Sequence, residues 1–416
     1  MRITAVTLGS YGDIMPFMLL GKELKKRGYI FRLASFESLK EKALHMGFEF
    51  AKISGDMEEL VSILLGNSDN TRESGMNGLK FLISKYPDLY EDLDKAVKDS
   101  DVIMYMQFGA IAYHFAEKYG KDVIRSMAFP FENTRKYAAM MDSMKRNSIY
   151  CYVANVMCEK MMAYAVKKTV NEFRKRLGIK PWNLFRSYKK LRGEKILTLY
   201  QYDEVLAPRD KKWKDNIVLT GNWIEEDKDN ISTKTHQLLE FIDKNERTIY
   251  VGFGSMNYLY MDQLYERIIK IALKEGRGII IPEYEKELVD KKFSDYKDRI
   301  FLSAFVPYEQ FFYRLEAVIH HGGNGTVHAC LRNGVPQLVM VFGADQAFWG
   351  GQCYYRELGP EPIFIKKEID DSEFENKIKD LMNNNRYKDN SKRLSGEVTS
   401  DGITVAANII ERRFPI

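Results

Sequence analysis

A chain of 416 residues is long enough for two domains, each with its own core. Its 45% apolar share is that of a globular protein, and its longest apolar runs are too short to span a bilayer. The four cysteines (Cys151, Cys158, Cys330, Cys353) have neither metal nor redox spacing, which speaks against a zinc or disulfide scaffold and for a reducing cytoplasmic setting.

The net charge of +5 is unevenly held: residues 1–209 sum to +9 and the remainder to −4. Residues 135–195 alone carry 16 basic and 4 acidic side chains. Such a patch can serve anionic membranes, nucleic acid or acidic substrates.

In chain order, residues 3–8 read as a strand and 15–27 as a helix stopped by Gly28. Residues 29–35 follow as a strand and 39–46 as a helix stopped by Gly47. The start runs straight into its strand, without the long apolar core of a signal peptide. Segments 101–104 and 122–127 look like later parallel strands, and this alternation predicts a doubly wound α/β domain. Residues 135–195 are helical in pattern and rich in Met, Tyr, Lys and Arg, and strands resume at 195–199. A polar stretch, 228–234, reads as a loop or linker.

A second α/β series follows, with strands at 248–255, 278–281, 300–303, 317–319 and 337–341. Helices are expected at 264–274, 326–332, 370–382 and 405–412. The prediction is two Rossmann-like domains whose parallel sheets face an interdomain cleft. The expected boundaries are 1–208, a connection over 209–245, 246–395, and a C-terminal helix in 396–416 that packs back on the first domain.

The most informative segment is His320-His321-Gly322-Gly323-Asn324-Gly325-Thr326, between an apolar strand and a helix. Amides at such a glycine-rich helix start suit a phosphate, and His321 and Thr326 can add side-chain donors. Some twenty residues on, beyond the next strand, Asp345 and Gln346 are suited to sugar hydroxyls. Asp13 follows a small-residue turn, with Ser10 and Gly12, at the carboxyl end of the first strand. There it is either a general base or a helix cap. Gly254 and Ser255 end the first strand of the second series in a similar turn.

These residues, in this order, resemble nucleotide-sugar glycosyltransferases of the two-domain GT-B architecture. The nearest likeness is to the branch of sterol glucosyltransferases and bacterial macrolide, glycopeptide and rhamnolipid glycosyltransferases. It covers nearly the whole chain. Leu8-Gly9-Ser10-Tyr11-Gly12-Asp13-Ile14-Met15-Pro16 is similar to the N-terminal motif, and Ala207-Pro208-Arg209 with Thr220-Gly221-Asn222-Trp223 to the interdomain signature. Gly252-Phe253-Gly254-Ser255-Met256, Phe305-Val306-Pro307 and the His320–Gln346 stretch resemble successive parts of the donor site.

The resemblance implies inverting transfer of a hexose, glucose from UDP-glucose, to a hydroxyl of a lipophilic small molecule or lipid. Asp13 would be the base. Ser255, His321, Gly323, Asn324, Gly325 and Thr326 would hold the diphosphate. Phe305 would stack on the nucleobase, with the Val306 backbone at its edge, and Asp345 and Gln346 would hold the sugar. No cofactor is implied, and no metal, because no Asp-x-Asp pair lies in the donor segment. Asn324 stands where relatives often carry alanine, His328 is atypical, and Tyr308 replaces a common histidine or glutamine. These departures leave the nucleobase open. Residues 135–195 stand where relatives build acceptor pockets. They read either as peripheral contact with an anionic membrane or as a solvated basic face over a Met-containing core. Nucleic acid is not an expected partner. Two other readings stay open: a nucleotide-sugar epimerase on this fold, and a non-catalytic nucleotide-sugar-binding partner.

Overall fold

The computed structural model of the protein describes residues 1–56, 59, 83–107, 109–139, 144, 147–183, 187–224, 232–254, 256, 258–304, 306–343, 345–365 and 370–416. Two compact units are present. The first comprises 1–204, 208–224 and 399–416, and the second 205–207 and 225–398.

The strands of the first unit are β1 (Arg2–Val6), β2 (Ile30–Ser35), β3 (Glu49–Lys52), β4 (Val102–Tyr105), β5 (Asp122–Met127), β6 (Lys190–Leu191), β7 (Glu194–Lys195), β8 (Leu197–Tyr200) and β9 (Ile217–Leu219). Seven form one parallel sheet in the order β3-β2-β1-β4-β5-β8-β9, while β6 and β7 make a small antiparallel hairpin. Four of the five β1 residues and all of β4 are buried, as expected for parallel strands covered on both faces. The helix Tyr11–Lys26 lays Ile14, Phe17, Leu20 and Leu24 on this sheet.

The helix Gly402–Arg413 packs on Tyr11–Lys26 and adds Ala406, Ala407 and Ile410 to the same core. The Tyr29 hydroxyl donates to the Phe414 carbonyl at 2.7 Å, and Arg27 reaches Asn408 and Glu411. The basic region, expected to be helical, contains the 30-residue helix Ser148–Leu177, capped by the Asn147 side chain and ended by Gly178 in the left-handed conformation, but closes in the β6–β7 hairpin.

The second unit contains β10 (Thr248–Gly252), β11 (Gly278–Pro282), β12 (Ile300–Ser303), β13 (Ala317–His320), β14 (Gln337–Val341) and β15 (Ile363–Phe364). All are parallel, in the order β12-β11-β10-β13-β14-β15. The expected connection over 209–245 divides between the units. Residues 208–224 stay with the first, and the helix Thr233–Lys244 belongs to the second, where Leu238 and Ile242 pack with Ile280 and Val318. Most of the expected 228–234 loop lies outside the described residues, as do Ser255 and Phe305.

Candidate functional site

In each sheet the strand order reverses beside one central strand. At such a point the neighbouring loops part and leave a crevice at the carboxyl ends of the strands. In the first unit this lies between β1 and β4, and in the second between β10 and β13.

In the first unit the turn after β1 delivers Ser10 as the N-cap of Tyr11–Lys26, with Asp13 at its third position. Asp13 Oδ2 accepts the Ser10 backbone N–H at 2.8 Å and the Ser10 hydroxyl at 2.7 Å. Asp13 is thus not the N-cap itself but the third-position carboxylate bonded back to it, and these bonds fix the carboxylate. Oδ1 has no partner among the described residues. Burial raises the Asp13 pKa above its ordinary value, and the two Ser10 hydrogen bonds oppose the shift. A raised pKa makes a carboxylate a stronger base. The glycine this turn requires is Gly9, where a Cβ would stand 2.8 Å from Asp13 Oδ2. At Gly12 a Cβ would meet only Ser10 Oγ, at 3.8 Å.

In the second unit two turns clasp one imidazole. A Cβ on Gly323 would lie 2.5 Å from His321 Nε2, and one on Gly254 would lie 3.1 Å from His321 Cε1. Gly254 also sits at φ +60°, a conformation side chains disfavour. Burial pushes the His321 pKa down to about 4, opposed by hydrogen bonding with the Gly252 backbone. Its Nδ1 is buried and without a partner among the described residues. His320, by contrast, is a structural residue. Its Nδ1 accepts the Gly322 N–H at 3.0 Å, so Nε2 donates to Gln337 Oε1 at 2.9 Å.

The helix Asn324–Arg332 begins at this clasp. Its N-cap, Gly323, supplies no side-chain cap, and its first turn holds no acidic residue. Helix starts leave several N–H groups without intrahelical acceptors and carry partial positive charge. A Cβ on Gly325 would meet nothing within 4 Å. Thr326 is buried and hydrogen-bonded to the Tyr308 hydroxyl, and Tyr308 stacks on Phe312 with centroids 4.3 Å apart. The Val306 side chain is in the core with Phe311 and Phe312.

Asp345 stands at the N-cap position of the helix Gln346–Tyr355 without a side-chain capping bond, and its Oδ2 accepts from Trp349 Nε1 at 3.2 Å. Gln346 is buried. Its Oε1 accepts the backbone N–H groups of Phe342 (2.7 Å) and Gly343 (3.0 Å), and its Nε2 lies 3.3 Å from Met256 Sδ. The Gln346 carbonyl is thus committed to closing its turn, which leaves amide hydrogens as its means of touching a ligand. Sequence reasoning missed Trp349, whose signal was its position four residues after Asp345. Met256 was named within the Gly252–Met256 motif, but its contact with the Gln346 amide was not foreseen. Among the described residues no cluster of three His, Cys, Asp or Glu is placed to hold a metal ion.

Comparison with known proteins bears on this geometry. Residues 279–411 match the family model of the erythromycin biosynthesis protein CIII-like C-terminal domain. The sterol 3-beta-glucosyltransferase of Neurospora crassa is 27% identical over 436 residues, covering 99% of this chain and 27% of that protein. The chain has the GT-B fold. Its fold is that of the kitacinnamycin glycotransferase, with a TM-score of 0.70 at 16% identity over 100% of this chain and 99% of that one. The spinosyn rhamnosyltransferase SpnG complexed with thymidine diphosphate is also similar, with a TM-score of 0.63, 15% identity, and coverage of 98% and 100%. This GT-B chain spans between 23% and 34% of the length of the curated sterol glucosyltransferases it matches.

Proposed function

We propose that the protein is an inverting glycosyltransferase that moves a hexose, glucose from UDP-glucose, onto a hydroxyl of a lipophilic small molecule or lipid. The observation that carries this reading is the pairing of unlike helix starts. One presents a carboxylate oxygen, Asp13 Oδ1, and the other an uncapped, uncharged turn beside an imidazole nitrogen, both without a partner among the described residues.

In this scheme Asp13 takes the proton of the acceptor hydroxyl as its oxygen attacks the anomeric carbon. The bond from that carbon to the diphosphate oxygen breaks, UDP leaves with the electron pair, and the anomeric configuration inverts. The amides of the Asn324–Arg332 helix start and His321 stabilise the charge that builds on the diphosphate, with no metal in the scheme. Asp345 and the Gln346 amide hold sugar hydroxyls, and Ser255 and Phe305 remain candidates for phosphate and base contacts. The relatives named sterol 3-beta-glucosyltransferase support a glucose donor and a lipophilic acceptor.

The test is mass-spectrometric detection of glycosylated product from UDP-glucose and a panel of sterols, diacylglycerol and phenols. Conversion of the donor without any acceptor would instead indicate an epimerase. Binding of a nucleotide sugar without turnover on any acceptor would indicate a non-catalytic partner, and failure to bind any nucleotide sugar would overturn the donor grip.

A further inference from the structure

The helix Ser148–Leu177 carries a feature to which the scheme above gives no role. Its inner face is anchored: Cys151, Ala154, Val170, Phe173 and Leu177 are buried. Arg174 is locked by Glu117 at 2.9 and 3.0 Å, His114 Nδ1 at 2.8 Å and the Lys180 carbonyl at 2.6 Å. Its outer face holds Ile149 (67% exposed), Val153 (46%), Met157 (49%), Met161 (58%) and Tyr164 (72%).

The intervals between these residues are four, four, four and three, which places them in one row along the helix. At 1.5 Å per residue the row is about 22 Å long. Single exposed apolar residues are ordinary on a surface, but a contiguous row marks an interaction site. The same solvent-facing side also bears Lys160, Lys168 and Lys175, all exposed. The segment 135–195 around it has 16 basic and 4 acidic residues.

We infer that this row is a docking surface for an anionic lipid bilayer, on which the helix lies with its apolar side chains in the headgroup–acyl boundary. Three observations select that occupant. Lys160, Lys168 and Lys175 share the face of the apolar row, and their charge complements acidic headgroups. Tyr164 at the end of the row has the amphipathic ring suited to that boundary. A second copy of the chain would bring an equally basic segment against this one, which repels. The helix does not insert across the bilayer: among the described residues no helix is long and apolar enough to cross a membrane. This surface belongs to the first unit and the donor grip to the second, and its test needs no sugar donor.

The full chain is sedimented with vesicles of phosphatidylcholine alone and of phosphatidylcholine containing phosphatidylglycerol. At least ten-fold stronger binding to the anionic vesicles is expected, falling as salt is raised. The double variant Met157→Asp/Met161→Asp should lose at least ten-fold of that binding while its melting temperature and UDP affinity stay unchanged. Lys160→Glu/Lys168→Glu should erase the preference for anionic lipid. Equal binding to both vesicles, no binding, or an aspartate variant that sediments like the parent overturns the inference. A dimer in light scattering that the aspartate variant splits would overturn it too, by giving the face to a second copy.

Discussion

Gly325→Ala separates what the fold needs from what a ligand needs. Gly325 is the second residue of the helix Asn324–Arg332, its φ lies outside the left-handed region, and an added Cβ meets nothing within 4 Å. The fold therefore has no use for glycine there. Alanine should be neutral or stabilise by up to about 1 kcal/mol, through helix propensity and a less flexible unfolded chain. A helix Cβ points toward the helix N-terminus. The new methyl would enter the space before the first amides, where a phosphate oxygen would sit at about 2.9 Å from its donor. Losing one hydrogen bond to a charged acceptor costs about 1.5–3 kcal/mol. That is a UDP affinity about 10- to 150-fold weaker. Calorimetric titration with UDP, beside a thermal melt, reads both quantities. Gly323→Ala is the contrast: its Cβ would lie 2.5 Å from His321 Nε2, so it should lose stability, by about 1–3 kcal/mol, as well as UDP binding. A folded Gly325→Ala protein that binds UDP like the parent would refute the placement of the diphosphate on this helix start.

Asp13→Asn keeps an acceptor oxygen for both Ser10 hydrogen bonds and removes only basicity. Sugar transfer should fall by about 10²–10⁴-fold with UDP binding and melting temperature unchanged, and full activity in an assay with a competent acceptor would remove Asp13 as the base. Burial holds His320 at about 3 and His321 at about 4, below the ordinary 6.5, so between pH 6.5 and 4 the unfolded chain binds protons that the folded chain does not. Stability is therefore full above pH 6.5 and lost as pH falls, by about 1.4 kcal/mol per histidine at pH 5.5. Urea titrations of the second unit at pH 7.5 and 5.5 with equal midpoints would contradict this. Gln346→Ala strips the acceptor from two backbone N–H groups and should destabilise by about 1–3 kcal/mol for each group left dry. Gln346→Glu keeps the oxygen and should stay folded, and a Glu variant with unchanged KM for the sugar donor would exclude the amide from sugar binding.

Much of the architecture was legible because parallel strands buried on both faces read as unbroken apolar runs. The fully buried 337–341 strand was read to the residue, and so was 300–303, an edge strand with only Ile300 buried. The helix Thr233–Lys244 was hidden because most of its surface is polar and only Thr235, Leu238 and Ile242 are buried. The glycine turn and helix start at His320–Thr326 were legible, since glycine spacing after a strand is local information. The state of Gln346 was not. Its carbonyl is set by the backbone of 342–343 and its amide by Met256, ninety residues away in sequence. No pattern in the chain encodes that meeting.

The two units apply one topological rule to opposite chemical ends. In each, a central strand runs into a small-residue turn at the point where the sheet order reverses. The helix start in the first unit is answered from within: Asp13 places its own negative charge in the first turn and bonds the Ser10 amide. That occupies the positive end of the dipole and disfavours a second anion there. In the second unit the helix start has a glycine cap and no acidic residue in its first turn, and a histidine held neutral by burial stands beside it. Its dipole is left for a charge from outside. The sequence difference between Ser-x-x-Asp at one helix start and Gly-Asn-Gly-Thr at the other thus decides which crevice suits a hydroxyl that must lose a proton, and which suits a diphosphate.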